Sequence, residues 1–142
     1  MSDETGSYRQ TVFTPLKAFR DYAGKYVLNA EVVTPEIQAG IKALDVSSSL
    51  SENGRQIVLT IVNRDTAGAL KTTVQINHLP AIYKAATLKQ ISYTGQSLHA
   101  VNSFKQEDAV KKLETIKKAN LNKLEVILSP GSLTILILEA KL

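Results

Sequence analysis

The sequence contains no cysteine and no tryptophan, and it has a single methionine. Without cysteine there can be no disulfide framework, no thiolate metal site and no cysteine nucleophile. The first ten residues are polar and lack the apolar segment of a signal peptide, and no apolar run approaches the length of a membrane span. The sequence therefore leaves the cellular compartment open and predicts no membrane partner.

Motifs of several common enzyme classes are also missing. There is no GxSxG nucleophile elbow, no glycine-rich phosphate loop and no dinucleotide fingerprint. The serine run Ser47–Ser49 fits the polar face of a strand better than a nucleophile. His78 and His99 lie beside turn residues, with no carboxylate or second histidine at ligand spacing, so exposed turn positions are favoured over metal binding or proton transfer. No cofactor and no metal site are expected.

The net charge of +4 and the pI of about 9.3 raise the question of nucleic-acid binding. The densest basic stretch has five lysines and one glutamate, with no arginine or aromatic residue among them: Lys111, Lys112, Glu114, Lys117, Lys118 and Lys123. Nucleic-acid surfaces usually add groups that stack on bases or fork onto phosphates. A solvated lysine face is the favoured interpretation, and no nucleic-acid partner is expected.

The clearest feature that is present is a predicted β-hairpin from Leu44 to Arg64. Apolar and polar residues alternate in its first half, as in a half-buried strand. Asn53-Gly54 predicts a two-residue type I′ turn, in which both residues have positive φ. The second half, Ile57–Val62, is apolar or β-branched at every position, which predicts a strand covered on both faces near the middle of a sheet.

A short amphipathic helix is predicted before this hairpin. Thr14 can cap it, Pro15 suits the first helical position, and Gly24 stands where a left-handed residue would end it. Leu16, Phe19 and Ala23 share one face, with Tyr22 beside them. Such a helix needs a surface to pack against.

The remaining sequence predicts short strands separated by turn residues. They are 26–33, 69–76, 86–93, 124–128 and 133–138, and 36–40 is taken as a connection. With 142 residues, this pattern predicts one all-β antiparallel sandwich or barrel with a short N-terminal helix. The stretch Phe104–Asn120 is ambiguous, because Val110, Leu113 and Ile116 have helical spacing while an extended segment would also fit between strands.

Two sets of side chains are candidate sites. Five carboxylates lie within or beside predicted strands, where surface charge is favoured over a catalytic pair: Glu31, Asp45, Asp65, Glu125 and Glu139. Tyr83 and Tyr93 flank one strand, and they form either a small platform for a sugar ring or part of the rim and core. The second interpretation is favoured, because the other aromatic residues are scattered.

Several blocks together resemble the C-terminal domain of family 51 α-L-arabinofuranosidases, which are retaining glycosidases. The segment LDVSSSLSENGRQIVLTIVNR is similar to the family's LDVSA…DGR…L…VVNR block. Asn102-Ser103-Phe104 followed by Val110 resembles its N-[ST]-F-x₅-V element, and LSPGSLTILILE resembles its last strand. FTPLKAFRDY is similar to the helix by which the family's barrel leads into this domain. The resemblance begins near Val12 and covers nearly all of the remaining chain.

The departures from the family pattern are local. The helix match is one residue short between Pro15 and Phe19. Glu107 stands where proline is usual, and Asp65-Thr66 stand where His-Pro is common. These differences affect the expected loop shapes more than the expected fold.

The resemblance implies a jelly-roll-like β-sandwich over residues 25–142, with residues 1–24 as the end of a catalytic (β/α)₈ barrel. It also implies mostly extended chain over Phe104–Asn120. The family's catalytic glutamates lie on that barrel, and retaining hydrolysis needs two carboxyls roughly 5 Å apart, so no catalytic residue is expected in this chain.

The implied partners follow from the same resemblance. The chain would pack on the barrel of a parent enzyme that acts on arabinan or arabinoxylan, with a structural or oligomerisation role. The family sandwich takes a further strand from the N-terminus of the whole protein, so an exposed sheet edge or apolar patch, or self-association that covers it, is expected. An independent carbohydrate-binding or protein-interaction module is the alternative.

Overall fold

The computed structural model describes residues 2–3, 6–7, 9–95, 97, 100, 102–103 and 109–141. Within these ranges the chain forms one α-helix, α1 (Phe13–Tyr22), and a 3-10 turn at Ala81–Tyr83. None of the helices described is long and apolar enough to cross a membrane. The strands are β1 (Ser2–Asp3), β2 (Gly6–Ser7), β3 (Tyr26–Leu28), β4 (Glu36–Gln38), β5 (Ile41–Lys42), β6 (Leu44–Leu50), β7 (Gln56–Asn63), β8 (Leu70–Val74), β9 (Thr87–Gly95), β10 (Val110–Lys118), β11 (Leu124–Leu128) and β12 (Ser132–Glu139).

The strands form an antiparallel β-sandwich, as the sequence predicted. Its main sheet has six strands in the order β10-β9-β12-β7-β6-β3. Strands β8 and β11 pair with each other and pack over one face of that sheet, so they form the second layer. Strands β4 and β5 make a small hairpin, and β1 and β2 make another two-stranded pair.

Both faces of the main sheet are covered near its centre. On one face, apolar residues of β7, β9 and β12 meet β11, as Ile61, Leu136 and Leu138 pack with Leu124 and Leu128. On the opposite face, apolar side chains of the same strands surround Ala18 of α1; they are Val58, Ile91, Tyr93, Ile135 and Ile137. The helix therefore forms a third layer.

The central position of β7 is confirmed, but the predicted turn before it is wrong. Among the described non-glycine residues only His78 has a positive φ, so Asn53 does not have the conformation that a type I′ turn requires. The hairpin instead closes between Ser51 and Gln56, with Gly54 alone left-handed at φ 69°. The Asn53 carboxamide oxygen accepts the Arg55 N–H at 3.1 Å, which fixes the longer loop.

Both predicted helix ends need correction. The helix begins at Phe13 after Val12, so Thr14 lies inside the first turn and does not cap it. Gly24 is not left-handed, because the chain leaves the helix in an extended conformation at Ala23. Gly24 is required for a different reason: a Cβ there would lie 2.5 Å from the backbone carbon and oxygen of Leu50.

Several other strand boundaries differ from the predicted ones. Only 26–28 of the predicted strand 26–33 pairs with β6, and the predicted connection 36–40 contains β4. The helix that periodicity favoured over Phe104–Asn120 is wrong where the structure describes it. The chain is extended there, as the family resemblance implied, and strand β10 pairs with β9 along its full length. Residues 104–108 lie outside the described residues.

The two edges of the main sheet differ. Strand β10 has nine residues, of which four are lysine and one is glutamate. Strand β3 has three residues, Tyr26, Val27 and Leu28, and Val27 is 90% exposed. Charge on an edge strand discourages pairing with another chain, so the two edges are not equivalent.

Candidate functional site: an uncovered helix face

Helix α1 is fixed to the sandwich at both of its ends. Before the helix, the Asn102 backbone N–H donates to Thr11 Oγ1 at 2.8 Å, and Asn102 Nδ2 donates to the Arg9 carbonyl at 2.9 Å. After it, the Gly24 N–H donates to Ser49 Oγ at 2.8 Å. Between these points the Ala18 side chain of the helix is buried against the sheet. The orientation of α1 on the sandwich is therefore set by hydrogen bonds and packing together.

The outward side of α1 is apolar and uncovered. Val12, Leu16 and Phe19 lie along one stripe and are 53%, 63% and 47% exposed, and Phe13 beside them is 39% exposed. The apolar patch expected from the sequence is thus present, and Leu16 and Phe19 lie on it as predicted. Tyr22 was placed beside that face but instead packs against the sheet.

The surroundings of α1 differ on its two sides. Strands β9 and β10 carry a cluster of three charged side chains on the helix-bearing face. In it the Glu114 carboxylate contacts the Lys89 ammonium at 3.0 Å and the Lys112 ammonium at 3.3 Å. Hydrogen bonds from these lysines hold the pKa of Glu114 below its usual value. The Lys89 ammonium also lies 5.7 Å from the centre of the Tyr22 ring. The β9–β10 side of the helix is therefore charged around Glu114.

Farther along the same face, strands β3 and β7 add exposed apolar groups. The register aligns Val27 with Ser49 and Ser49 with Val58, so Val27 lies on the face that carries α1. Val62 shares this face with Val58, because the two are four residues apart in one strand, and it is 39% exposed. These two valines extend the exposed apolar surface of the helix stripe on this face, and Ile116 of β10, which is aligned with Lys89 and is 66% exposed, lies on the same face.

The polar residues of the family-like blocks have structural roles. Asn63, Asn102, Ser132 and Thr134 are all buried. Asn63 Nδ2 donates to the carbonyls of Ser129, Leu128 and Gly68, and Ser132 Oγ donates to the Ser129 carbonyl. In this chain the side chains of Asn63 and Ser132 thus hold a loop against the strands. The sequence located these residues but did not indicate this role.

Replacing Asn102 by alanine should destabilise the protein by about 2 kcal/mol, because its buried side chain makes two hydrogen bonds whose partners, the Arg9 carbonyl and the Ala109 N–H, would be left unpaired. Asn102 is 8% exposed, and its Oδ1 also accepts the Ala109 N–H. Urea unfolding measures the change. Asn29→Ala, at an exposed loop position, is the control and should shift stability by less than about 0.5 kcal/mol. Equal effects would contradict the role assigned to Asn102.

The five carboxylates that were candidates for a catalytic pair have structural partners or lie on the surface. Asp45 contacts Arg64 at 2.7 Å, and Glu125 contacts Lys71 at 3.4 Å. Asp65 Oδ1 accepts the Ala67 N–H, which is a turn contact. Glu31 and Glu139 are exposed. The expectation that no catalytic residue is present stays a prediction.

Tyr83 and Tyr93 do not form a platform. They are 1% and 6% exposed and belong to the two clusters on opposite faces of the main sheet. The Tyr83 hydroxyl donates to the Gly54 carbonyl at 2.8 Å, which supports the hairpin loop. Burial raises the pKa of both hydroxyls.

Of the two histidines, the structure describes only His78. His78 is an exposed turn residue with φ 55°, and His99 lies outside the described residues. Among the residues that the structure covers, no three His, Asp or Glu side chains are close enough to hold a metal ion. A shallow depression of about 480 Å³ lies beside the hairpin loop, between Glu52, Arg55 and Glu139.

Solved structures share this fold. The crystal structure of an arabinofuranosidase superposes with a TM-score of 0.86 at 16% identity, over 98% of this chain and 31% of that one. An α-L-arabinofuranosidase from Thermotoga maritima, in an arabinose complex, gives 0.85 at 16% identity over 97% and 30%. A family 51 enzyme from Bifidobacterium longum gives 0.75 at 21% identity over 99% and 28%. The chain thus spans about a third of their length.

No curated protein matches the chain. The sequence model of the α-L-arabinofuranosidase C-terminal domain, however, matches residues 1–132. That match includes α1 and eleven of the twelve strands in full. The chain therefore belongs to the family of α-L-arabinofuranosidase C-terminal domains.

Proposed function

We propose that this chain is the accessory domain of an α-L-arabinofuranosidase and that it packs on the catalytic domain through the outward face of α1. The catalytic domain would be a (β/α)₈ barrel acting on arabinan or arabinoxylan. The sandwich would stabilise this barrel and supply no reacting group. The division at residue 24 is part of the same proposal, with α1 as the element that joins the two units.

The observation that carries this proposal is the exposure of Val12, Leu16 and Phe19 on a helix whose other side is firmly held. An apolar stripe of this kind marks an interaction surface. The solved relatives suggest what covers it, because they are about three times longer than this chain. Their additional length is large enough to supply a neighbouring domain in the same polypeptide.

Polar substitution of this face should weaken the packing between domains. In the full-length protein, the double substitution Leu16→Ser and Phe19→Ser should destabilise the packing between the domains by about 2 kcal/mol. The reason is that roughly half of each side chain is exposed in this chain and would be buried against the catalytic domain. The effect is measured as the temperature at which the protein loses its hydrolysis of an aryl arabinofuranoside. The KM for this substrate should not change.

Ile127→Ser is a matched control for this double variant. Ile127 is 65% exposed on β11, in the layer on the other side of the main sheet from α1. Equal inactivation temperatures for wild type, control and double variant would contradict docking through α1. Self-association of the isolated chain, measured by sedimentation velocity, should also fall in the double variant if the same face pairs two copies.

Two assays of the isolated chain test its accessory role. Turnover of an aryl arabinofuranoside by this chain would overturn the proposal that catalysis occurs elsewhere. Titration with arabinan and with a uronate-free arabinoxylan should produce no binding heat, since Tyr83 and Tyr93 are buried and form no sugar platform. Millimolar or tighter binding would favour an independent carbohydrate-binding module.

A further inference from the structure

A second depression of about 480 Å³ lies on another part of the surface, where the end of the 3-10 turn meets the connection from β10 to β11. We name it the lysine–asparagine corner, after its polar lining residues. The residues around it are Lys84, Lys118, Ala119, Asn120, Leu121 and Asn122. It is shallow and open to solvent, with a volume within the range of small-ligand pockets.

The backbone under this corner is well fixed. The Ala119 N–H donates to the Ala86 carbonyl at 2.9 Å, which ties the end of β10 to the segment after the 3-10 turn. The Lys123 N–H donates to the Asn120 carbonyl at 3.2 Å, and the Asn122 N–H donates to Asn120 Oδ1 at 3.2 Å. These bonds hold both asparagines in a tight turn. The polar groups of the corner are therefore carried on a supported backbone.

The corner carries uncompensated positive charge. Throughout the described ranges, neither Lys84 nor Lys118 has a carboxylate within 4.0 Å. By contrast Lys71, Lys89 and Lys112 are each in an ion pair. Two ammonium groups at one depression favour a ligand with anionic oxygen atoms.

The asparagines add a second kind of recognition. Within the described part of the chain, the Nδ2 groups of Asn120 and Asn122 have no hydrogen-bond acceptor. Side-chain amides both donate and accept hydrogen bonds, which suits hydroxyl groups as well as carboxylates. Leu121 is only half-buried, so its exposed part gives the corner a small apolar surface. Charge, amides and apolar surface together match a ring that bears hydroxyls and a carboxylate.

We infer that the lysine–asparagine corner binds a carboxylated sugar, a hexuronate residue, with Lys84 and Lys118 facing its carboxylate and the two asparagines facing its hydroxyls. The choice of a sugar over a simple anion rests on the proposed function, in which the chain is part of a polysaccharide-degrading enzyme. The corner is formed by a different part of the chain from the α1 stripe. Loss of sugar binding and loss of domain packing are therefore separate results.

The test is a titration of the isolated chain followed by amide NMR. Glucuronic acid and digalacturonic acid are the probes, arabinose and xylose are the neutral controls, and inorganic phosphate is the simple anion. The uronates should shift the side-chain amide signals of Asn120 and Asn122 at millimolar concentration, and added salt should weaken the effect. Equal shifts of the same signals by the neutral sugars would overturn the inference. A shift caused by phosphate but by neither uronate would also overturn it.

Charge-matched variants locate the site. Lys84→Ala with Lys118→Ala should weaken uronate binding by at least about tenfold, because both ammonium groups are lost. The double variant Lys111→Ala with Lys141→Ala is the control, because it removes the same charge from two exposed lysines that form no ion pair within the described residues. It should change uronate binding by less than twofold. All four lysines are exposed, so folding should be retained. Equal weakening in both pairs, or no binding by the wild type, would overturn the inference.

Discussion

Asn63→Ala is expected to destabilise the protein by about 3 to 4 kcal/mol. Asn63 is 1% exposed and joins the end of β7 to the loop before β12. Its Nδ2 lies 3.0 Å from the Ser129 carbonyl and 3.3 Å from the Leu128 carbonyl, and its Oδ1 accepts the Asp65 N–H at 3.0 Å. Each group left unpaired in a buried position costs roughly 1 to 3 kcal/mol. The melting temperature should fall by roughly 10 °C.

Two further variants separate hydrogen bonding from packing at this position. Asn63→Asp preserves the shape of the side chain but removes the donor and directs negative charge at carbonyl oxygens, so it should be at least as damaging as alanine. Asn77→Ala, in an exposed turn, should be nearly neutral. Denaturant unfolding compares all three. If Asn63→Asp were as stable as wild type, the role assigned to the Nδ2 group would be wrong.

Gly24→Ala is expected to destabilise by about 3 kcal/mol. The added methyl would lie 2.5 Å from the backbone carbon and oxygen of Leu50 and 2.9 Å from the Ser51 nitrogen. All three atoms are main chain next to the central hairpin, so none can move as a flexible side chain would. Overpacking that forces backbone movement typically costs 1 to 3 kcal/mol and sometimes more. The segment from α1 to β3 should therefore separate from the hairpin.

The same substitution at Gly68 is the control for Gly24→Ala. No atom lies within 4 Å of the Cβ position at Gly68, and its φ is not positive. Alanine there should be neutral or slightly stabilising, because it restricts the unfolded chain. Hydrogen exchange adds a local measurement, since Gly24→Ala should reduce protection in Tyr26–Leu28 and Gly68→Ala should not. Equal stability of the two variants would contradict the packing described at Gly24.

The sequence predicted most of the sandwich, and its errors have physical causes. Strands such as Leu124–Leu128 were located because period-two alternation and turn residues depend on local sequence alone. The helix favoured around Val110–Lys118 failed because Leu113 and Ile116 have helical spacing but lie on opposite faces of a strand, both exposed. Pairing with β9 decides the conformation there, and periodicity contains no information about such a partner.

The uncovered face of α1 was only partly predictable. Leu16 and Phe19 were identified as an apolar face that needs a partner, and they are exposed. The other side of the helix was missed, since Ala18 gives little hydrophobic signal and yet is the residue buried in the sheet. The buried role of Asn63 and Asn102 was also missed, because a polar residue in a turn-rich segment is normally solvated.

The unequal edges of the main sheet have a consequence for assembly. A strand from another molecule that approached β10 would meet four lysines on one edge, whereas β3 offers a short apolar edge. Two copies that pair through β3 leave only their β10 edges at the ends of the joined sheet. Because like charges on those ends oppose further pairing, pairing through β3 would stop at a closed dimer.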